Sequence, residues 1–380
     1  MDDITALLED SGEQTMEQAM AKAEEIVNEL DNVTLNIAVT GETGAGKSLF
    51  VNAIRGVKIG DEGYAKTGVR ETTMEPTEYP HPTMPNVKIF DLPGIGSTNF
   101  KANAYMKKVA FKNYDFFIIV SASRFKENDV LLAKNIKKQK KSFYFVRSKV
   151  DMDVANQIAS GEGTEEETLR CIRDDCLANL KSLETNSPVF LITSHDLSKY
   201  DFQKLIETLK ADLGQEKMDA LMLSLPVYSM QSLDEKYSAF KKSVWALAVV
   251  SGGIGAAPVP GLSFALDTAM VLSFLTGVYH SSGLDDEALE RMSEQVEKKI
   301  LEEVKKSELI QGIGKSMLTS SMLRKLAVAG GIEAVSCMTP IAGNIVAAGV
   351  SFVTTRAVLQ QGLDELYQVA KKVLEMANLQ

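Results

Sequence analysis

The eight residues from Gly41 to Ser48, GETGAGKS, have the types and spacing of a phosphate-binding loop. Glycines let backbone N–H groups turn inward on a phosphate, Lys47 can reach the β- and γ-phosphates, and the Ser48 hydroxyl can bind Mg²⁺. The sequence therefore predicts a nucleotide-phosphate site. Its contact residues would be Gly41, Glu42, Thr43, Gly44, Ala45, Gly46, Lys47, Ser48 and Leu49.

A second glycine–lysine–serine sequence occurs at Gly314–Ser316. Leu309 stands where the pattern requires its first glycine, and the preceding residues 294–308 have helical periodicity. The first copy instead follows the short apolar segment 35–40 and precedes the helical segment 48–54, which is the order that a phosphate loop needs. We interpret the second copy as coincidence.

A carboxylate that holds Mg²⁺ should end a neighbouring strand. Asp91 begins the sequence DLPG directly after the apolar segment 87–90, and we expect it to reach the metal shell through water. The N–H of Gly94 could bond the γ-phosphate and release it on hydrolysis. In the polar loop 67–73, Thr73 could complete the Mg²⁺ shell, with Thr72 as the fallback. An exposed loop without a ligand role is the alternative.

A base-reading element of the form [N/T]-K-x-D would be expected after a later strand. Here SFYFVR is followed by SKVD, in which Lys149 can lie against the phosphate loop and Asp151 can accept hydrogen bonds from guanine N1 and N2. This carboxylate disfavours adenine. A surface turn is the alternative interpretation. After the last predicted strand, Thr193 and Ser194 stand where a backbone N–H could contact the base O6.

The predicted site residues lie on a region in which short apolar segments alternate with helical ones, from about Leu35 to Leu213. Near-continuous apolar strands between helices indicate a mostly parallel sheet covered on both faces. We predict a segment 1–33 that packs with C-terminal helices, a doubly wound α/β domain at 34–213 and an all-α domain at 214–380. The later strands are predicted at 87–90, 115–120, 142–146 and 188–193.

The N-terminal and C-terminal regions have helical periodicity. Residues 15–30 form an amphipathic helix with a Thr15/Gln18 capping box, which we expect to dock on the chain's own helices, an independent partner-binding arm being the alternative. A charged amphipathic helix is predicted at 285–309.

Two long uncharged runs flank that helix, at 244–266 and 334–355. Glycine pairs and prolines favour shorter buried helices joined by turns over a surface that dips into lipid, and a true span is least favoured. An exposed lysine group is interpreted as a solvated helix face, with attraction to anionic lipid or an effector as the alternative. It consists of Lys134, Lys137, Lys138, Lys140 and Lys141.

Composition bounds the class of protein. The chain has 380 residues, of which 45% are hydrophobic and 24% charged, and this suits two or three globular domains. The net charge of −10 argues against nucleic acid as a partner. Cys171, Cys176 and Cys337 lack metal spacing and are too few for a disulfide framework, so a reducing setting is expected. Asp2 excludes an N-myristoyl glycine.

The sequence motifs GETGAGKS, TT, DLPG, SKVD and TSH occur in the order that is typical of a GTPase domain. The stretches AKTGVRETTMEP, FDLPGIGSTNF, YDFFIIVSASRFKENDVLLAK and SFYFVRSKVD resemble the immunity-related GTPases, the interferon-inducible family of vertebrates. The similarity covers nearly the whole chain, although the C-terminal match is looser and rests on APVPGLSFALD and GLDD.

The resemblance implies a Ras-like P-loop GTPase domain with a dynamin-like helical domain, using GTP, GDP and Mg²⁺. It implies oligomerisation, with activation when two GTP-bound domains meet face to face. It also implies a cytoplasmic protein that associates peripherally with intracellular or pathogen-vacuole membranes in cell-autonomous immunity. Lys47 places the chain in the subgroup competent for hydrolysis.

The residue after Gly94 is Ile95, where small signalling GTPases have a glutamine that orients the attacking water. Slow intrinsic turnover is therefore expected, with activation by self-association. Glu71 resembles a family glutamate in the nucleotide-face dimer contact, and we expect it to touch the partner's nucleotide. A nucleotide-dependent scaffold with little hydrolysis is the alternative function. A P-loop ATPase or kinase is less favoured because of Asp151.

Overall fold

The computed structural model describes residues 15–68, 75–94, 105, 107–123, 126–180, 188–255, 262–285, 289, 300–301, 303–336 and 342–378. The chain divides into two compact units. We call Val33–Tyr228 the sheet unit. The described residues of Met1–Asn32 and Ser229–Gln380 form the helical unit.

Strands and helices are numbered here in chain order. The strands are β1 Leu35–Gly41, β2 Thr77–Pro80, β3 Val87–Asp91, β4 Phe116–Ser121, β5 Ser142–Arg147 and β6 Val189–Leu191. The helices are α1 Met16–Asn32, α2 Lys47–Arg55, α3 Glu127–Lys138, α4 Val150–Ser160, α5 Glu165–Leu180, α6 Phe202–Asp212, α7 Gln215–Ser224, α8 Met230–Gly255, α9 Leu262–Ser281, α10 Glu308–Ile313, α11 Ser320–Ser336 and α12 Ala342–Asn378.

The strands form one sheet in the order β2-β3-β1-β4-β5-β6. All neighbouring pairs are parallel except β2 with β3, which is antiparallel. The sequence did not predict β2, because its four residues, TEYP, are mostly exposed and carry no apolar alternation. The mostly parallel sheet and the helical second unit confirm the predicted fold class.

The sheet is buried on both faces because successive side chains of each strand point in opposite directions. On one face, Ile37 and Ile118 pack in the same buried cluster as residues of α2, α6 and α7. On the other face, Ala38 and Phe117 pack with residues of α3 and α5. This explains why β4, FFIIVS, is apolar without alternation.

The sheet unit extends further along the chain than the predicted boundary after residue 213. Helix α7 follows that position, and its Ala220, Leu221 and Met222 belong to the same buried cluster as β1. The observed division therefore falls after Tyr228. The composition change near Gly214 marks the end of the strands rather than the end of the packed unit.

Helix α1 packs within the helical unit, in a cluster where Ala19 and Ala23 meet Val249 of α8 and Phe352 of α12. The predicted N-terminal cap is present, since the backbone N–H of Gln18 donates to Thr15 Oγ1 at 3.2 Å. This packing favours the docking-helix interpretation of α1.

Two local predictions in the helical unit were wrong. Gly252 and Gly253 lie inside α8 rather than in a turn, because Gly252 allows α12 to approach closely: an added Cβ would lie 3.1 Å from the Ala348 carbonyl oxygen. The predicted helix 285–309 is interrupted before its end. Ser307 caps the new helix α10 by accepting the Ile310 N–H at 3.1 Å. Most of the remainder of that predicted helix lies outside the described residues.

Polar side chains are buried between the long helices of this unit. Ser251 Oγ of α8 lies 2.7 Å from Ser351 Oγ and 2.8 Å from Thr355 Oγ1, both on α12. Ser351 also donates to Asp267 of α9 at 3.2 Å. Among the described residues, no helix combines the length and apolar character needed to cross a bilayer.

Candidate nucleotide-binding site

The predicted phosphate loop lies at the carboxyl end of β1, near the middle of the sheet. Strand β1 has β3 on one side and β4 on the other, so the chain order reverses direction around it. Ligands of open α/β sheets bind at such a point. Gly41 has φ 138°, and an added Cβ would lie 2.0 Å from the Val120 carbonyl oxygen of β4, so a side chain cannot be accommodated there.

Lys47 begins helix α2, and its side chain folds back over the loop. Its Nζ donates to the carbonyl oxygens of Gly41 at 3.2 Å and Glu42 at 3.0 Å, and the residue is only 7% exposed. Ser48 and Leu49 follow in the first turn, where backbone N–H groups have no intrahelical partner. A helix N-terminus with a lysine above it is suited to a phosphate anion.

Ser48 and Asp91 meet at the same edge of the sheet. Ser48 Oγ donates to Asp91 Oδ2 at 2.6 Å, and Asp91 is completely buried. Strand register explains this meeting, because Asp91 pairs with Val39, two residues before the loop. A hydroxyl and a carboxylate are hard oxygen ligands of the kind that Mg²⁺ prefers. These two oxygen ligands fit the predicted Mg²⁺ ion.

Gly94 lies directly against the phosphate loop. A Cβ added to Gly94 would be 2.2 Å from Thr43 Oγ1 and 3.0 Å from the Thr43 backbone nitrogen. The sequence between Asp91 and Gly94 is held near β1, because the Leu92 N–H donates to the Val39 carbonyl at 3.0 Å. The structure therefore brings the two predicted phosphate-sensing segments together.

The SKVD sequence also contacts the phosphate loop. Ser148 Oγ donates to the Ala45 carbonyl at 2.7 Å, and Lys149 Nζ donates to the Gly44 carbonyl at 2.9 Å. Two consecutive carbonyls of the loop are thus held by two consecutive residues after β5. Lys149 lies along the loop as the sequence predicted.

Asp151 lies in the first turn of α4, and one of its carboxylate oxygens has no described hydrogen-bond donor. Its Oδ1 is buried and accepts no hydrogen bond from any residue that the structure describes. A buried acceptor without a donor costs roughly 1–3 kcal/mol. Because Asp151 follows the residues that bond the phosphate loop, this oxygen is placed to accept from a ligand bound there. Guanine presents two neighbouring donors, N1–H and the N2 amine, and Asp151 fits this base.

The loop after β6 lies next to the SKVD loop, because Arg147 and Leu191 are paired in neighbouring parallel strands. Thr193 is buried, and its Oγ1 accepts the His195 N–H at 3.3 Å. Ser194 is partly exposed. The Thr193 side chain thus shapes the turn, while contact of this turn with a base stays a prediction.

Several predicted site residues lie outside the described part of the chain: Glu71, Thr72, Thr73 and Ile95. The segment that leads to the first three is fixed at Ala65. Both atoms of the Asn52 amide pair with Ala65, Nδ2 donating to its carbonyl at 2.8 Å and Oδ1 accepting its N–H at 2.8 Å.

Sequence reasoning missed three side chains around the loop. Ser148 stands where the pattern has asparagine or threonine, and no role was predicted for it, although its hydroxyl bonds the loop. Lys126, before α3, forms a 2.6 Å ion pair with Glu42 of the loop. The Lys126 N–H donates to Asp129 Oδ2 at 3.1 Å. The N-cap pattern KEND, at residues 126–129, could have identified the contact between Lys126 and Asp129 from the sequence. The contact between Lys126 and Glu42 depends on the fold.

The pKa of Asp129 is raised to about 7, mainly by burial; the hydrogen bond from the Lys126 N–H opposes this shift and the nearby Glu42 carboxylate adds to it. Asp129 is completely buried within the first turn of α3. A carboxyl that titrates near neutral pH therefore lies beside the ion pair that holds the second residue of the phosphate loop.

Comparisons with known proteins agree with this geometry. Residues 2–377 match the family model described as Interferon-inducible GTPase (IIGP). Interferon-inducible GTPase 5 of Rattus norvegicus is 40% identical over 366 residues, covering 94% of this chain and 78% of the rat protein. T-cell-specific guanine nucleotide triphosphate-binding protein 2 of Mus musculus is 42% identical, covering 77% of this chain and 71% of its own.

Interferon-gamma-inducible GTPase 10 of Mus musculus is 36% identical, covering 92% of this chain and 83% of that protein. Among solved structures, a dimerization-deficient mutant of Toc33 from Arabidopsis thaliana has 14% identity and a TM-score of 0.33, covering 47% of this chain and 78% of that one. A structural similarity this weak carries no argument about the present chain.

Proposed function

Because the chain belongs to the interferon-inducible GTPase family, we propose that it binds GTP and GDP with Mg²⁺ and hydrolyses GTP slowly until two copies associate. We further propose that it oligomerises through its nucleotide-binding face and acts peripherally at intracellular or pathogen-vacuole membranes in innate immunity. Each part of this proposal has its own support and its own test.

The buried, unpartnered Oδ1 of Asp151 is the observation that carries the choice of guanine. Lys149 and Ser148 hold the start of this turn on the phosphate loop, so the carboxylate has a fixed position relative to the phosphates. Adenine offers a donor at N6 but an acceptor at N1, and it cannot give this carboxylate two neighbouring donors.

Competition binding tests the base preference. Labelled GDP bound to the full chain is challenged with unlabelled GDP or ADP in the presence of Mg²⁺. We expect GDP to displace the label and ADP to require at least about a hundredfold higher concentration, since a lost pair of charge-assisted hydrogen bonds costs about 3 kcal/mol. Equal competition by ADP would favour the ATPase or kinase alternative.

The roles at the phosphates follow from the residues that meet there. Lys47 and the N–H groups of the first turn of α2 neutralise phosphate charge. Ser48 and Asp91 would hold Mg²⁺, with Thr73, or Thr72 in its place, as a further ligand. The metal supplies charge neutralisation at the β- and γ-phosphates when bound. Gly94 lies against Thr43, which supports its role as the γ-phosphate sensor.

The proposed slow rate rests on the residue that follows this sensor. Ile95 is apolar and cannot orient a water for attack, so positioning must be supplied by another group. We propose that a second copy of the chain supplies this group, with Glu71 of each copy in contact with the nucleotide of the other. In this scheme, bound GTP is hydrolysed rapidly only after a second copy has associated.

Hydrolysis measured over a range of protein concentration tests this activation. We expect GTPase activity per molecule to rise at least about tenfold as the concentration increases about a hundredfold, because dimerisation follows mass action. Activity per molecule that stays constant over this range would contradict activation by self-association. No phosphate release in single turnover at high concentration would instead favour the scaffold alternative.

Membrane association is supported by the surface of the helical unit. Helix α9 contains no Lys, Arg or Glu, and its one Asp, Asp267, is buried. Large apolar side chains are exposed on three helices that pack together, α9, α11 and α12. They are Leu266, Val328, Ile332 and Val353. We propose these exposed apolar side chains as the residues that enter the membrane interface.

Flotation of the full chain with liposomes tests this surface. We expect Leu266→Glu to reduce the bound fraction at least about threefold, since a charge resists entry into the apolar boundary of a bilayer. Met317→Glu is the matched control, because Met317 is also an exposed apolar residue of the helical unit but lies in the loop between α10 and α11. Equal effects of the two variants would argue against a specific membrane surface.

A further inference from the structure

The hydroxyl of Tyr105 joins two parts of the candidate site. Its oxygen lies 2.8 Å from Thr40 Oγ1, in the residue before the phosphate loop, and it donates to the Pro93 carbonyl at 3.0 Å. A carbonyl only accepts, so the phenol proton is committed to Pro93 and the Thr40 hydroxyl donates to Tyr105. The result is a directed chain from Thr40 through Tyr105 to Pro93.

The Pro93 carbonyl belongs to the same peptide unit as the Gly94 N–H. A trans peptide is planar, and its C=O and N–H point in opposite directions. Holding the carbonyl toward Tyr105 therefore directs the Gly94 N–H away from Tyr105. Gly94 itself lies against Thr43 of the phosphate loop, as its close approach to that residue indicates. The Tyr105 hydroxyl thus constrains the orientation of the peptide that carries the Gly94 N–H.

The hydroxyl is well placed to act as a permanent donor. The Tyr105 ring packs on a buried cluster that contains Leu92 and Val109. Burial raises the pKa of Tyr105 above its usual value, and the hydrogen bond from Thr40 only partly opposes this shift. The phenol therefore keeps its proton at neutral pH. The backbone here is also fixed, since the Val109 N–H donates to the Tyr105 carbonyl at 3.0 Å.

We propose that Tyr105 is a positioning residue that pre-orients the Pro93–Gly94 peptide for the γ-phosphate and so makes the site discriminate GTP from GDP. The inference rests on the proposed function, in which Gly94 donates to the γ-phosphate. GDP has no γ-phosphate, so its binding does not use this peptide. Loss of the hydroxyl should weaken binding of a GTP analogue and leave GDP binding unchanged.

The test compares Tyr105→Phe with the wild-type full chain, using GMPPNP and GDP with Mg²⁺ at a protein concentration low enough to limit self-association. The substitution removes one oxygen and keeps the packed ring. We expect the Kd for GMPPNP to rise about tenfold, as for the loss of one buried hydrogen bond, and the Kd for GDP to change less than about twofold.

Tyr114→Phe is the matched control. Tyr114 belongs to the same buried cluster, and its hydroxyl also donates to a backbone carbonyl, that of Val109 at 2.7 Å. This carbonyl is not part of the Pro93–Gly94 peptide, so the control reports the general cost of removing a buried phenol hydroxyl. It should change the ratio of the two Kd values less than about twofold.

Thr40→Val supplies a second, independent variant. It removes the hydroxyl that donates to Tyr105 and is close to threonine in shape. We expect a smaller change of the same sign in the ratio of Kd values, and a double variant with Tyr105→Phe that is no worse than Tyr105→Phe alone by more than about twofold. Full additivity of the two substitutions would contradict the directed chain.

The outcomes separate this inference from the proposed function. If the wild-type chain binds neither nucleotide, the proposed function fails. If the wild type binds both and Tyr105→Phe raises both Kd values equally, or resembles Tyr114→Phe, the positioning role of Tyr105 is wrong. Tighter binding of GMPPNP by Tyr105→Phe would also overturn it, since the hydroxyl would then hold the peptide away from the γ-phosphate.

Discussion

The two glycine–lysine–serine sequences of this chain have the same three residues and opposite surroundings. Lys47 follows a central strand, starts a helix and is 7% exposed. Lys315 follows the short helix α10 in a turn, and both it and Ser316 are exposed. Only the first copy has the strand and the helix N-terminus that a phosphate loop requires.

The buried polar groups of the two units differ in a similar way. In the helical unit, Ser251, Ser351 and Asp267 bond one another and link three helices. In the sheet unit, Asp151 follows the residues that hold the phosphate loop, and its buried Oδ1 has no described donor. A carboxylate that links helices stabilises packing, whereas a carboxylate beside a phosphate loop is positioned for a ligand.

The largest predicted effect is on nucleotide affinity, and it should distinguish a substitution of Lys47 from one of Lys315. Lys47→Ala is expected to weaken GDP and GTP binding at least about a hundredfold, because it removes a buried cation from the phosphates. Lys315→Ala should change neither affinity by more than about twofold, since an exposed lysine in a turn interacts mainly with water. Isothermal titration with each nucleotide measures both.

Gel filtration in the presence of GMPPNP extends this comparison. Lys47→Ala should also lose nucleotide-dependent self-association, while Lys315→Ala should retain it. Unchanged GDP affinity in Lys47→Ala would refute the assignment of the phosphate loop.

A second comparison sets Asp151, of which one carboxylate oxygen is buried, against the buried residue Asp267. Asp151→Asn should lower GDP affinity roughly thirtyfold, because an amide presents a donor to the guanine donors and loses the charge. Xanthosine diphosphate, whose O2 is an acceptor, should bind the variant better than the wild type. Titration calorimetry with both nucleotides measures these changes.

Asp267→Asn is the matched substitution in the helical unit. It should leave nucleotide affinity unchanged and lower the free energy of unfolding by about 1 kcal/mol, as one buried hydrogen-bonding group is altered. A loss of GDP affinity in Asp267→Asn equal to that in Asp151→Asn would remove the distinction between the units.

The effects of pH on the free energy of unfolding have opposite signs in the two units. Asp129 has a folded pKa of about 7, against about 3.9 when unfolded, so the folded state holds the extra proton between these values. The free energy of unfolding therefore falls as pH rises from about 4 to about 7, by up to about 1.4 kcal/mol per pH unit.

Lys236 of α8 is buried in the helical unit, and burial lowers its folded pKa to about 7. Its unfolded pKa is about 10.4, so the unfolded state holds the extra proton between these values. The free energy of unfolding should then rise as pH increases from about 7 to about 10.

Urea unfolding across pH measures both slopes. Asp129→Asn should reduce the fall below pH 7, and Lys236→Met should reduce the rise above it; each variant should leave the other limb unchanged. A variant that alters both limbs equally would show that the titration is not confined to one unit.

The nucleotide site was largely predictable because its parts are short and local. Spacing alone indicated Lys47, Ser48, Asp91 and Asp151, since each follows a strand end, and parallel strands bring such ends to one edge. The roles of Thr73 and Glu71 stay predictions. Contacts between distant segments were not predictable, because no local pattern indicates which loops will lie side by side.

The helical unit was less predictable. Its glycine pairs were read as turns, although Gly252 serves the close packing of α8 and α12. A glycine in a helical pattern indicates either a break or a close approach, and the sequence does not say which helix approaches. The cap at Ser307 was missed for a related reason, since the serine stands within a continuous helical pattern.

By itself, the sequence determined the mostly parallel sheet and the position of the phosphate loop at a strand end, because strand burial and loop chemistry depend on residue types at short spacing. Only the tertiary structure decided that Ser148 and Lys149 hold successive carbonyls of the loop, and that the Tyr105 hydroxyl reaches the peptide of Gly94. Those contacts join residues far apart in the chain, and their distances are set by the packing of strands and helices between them.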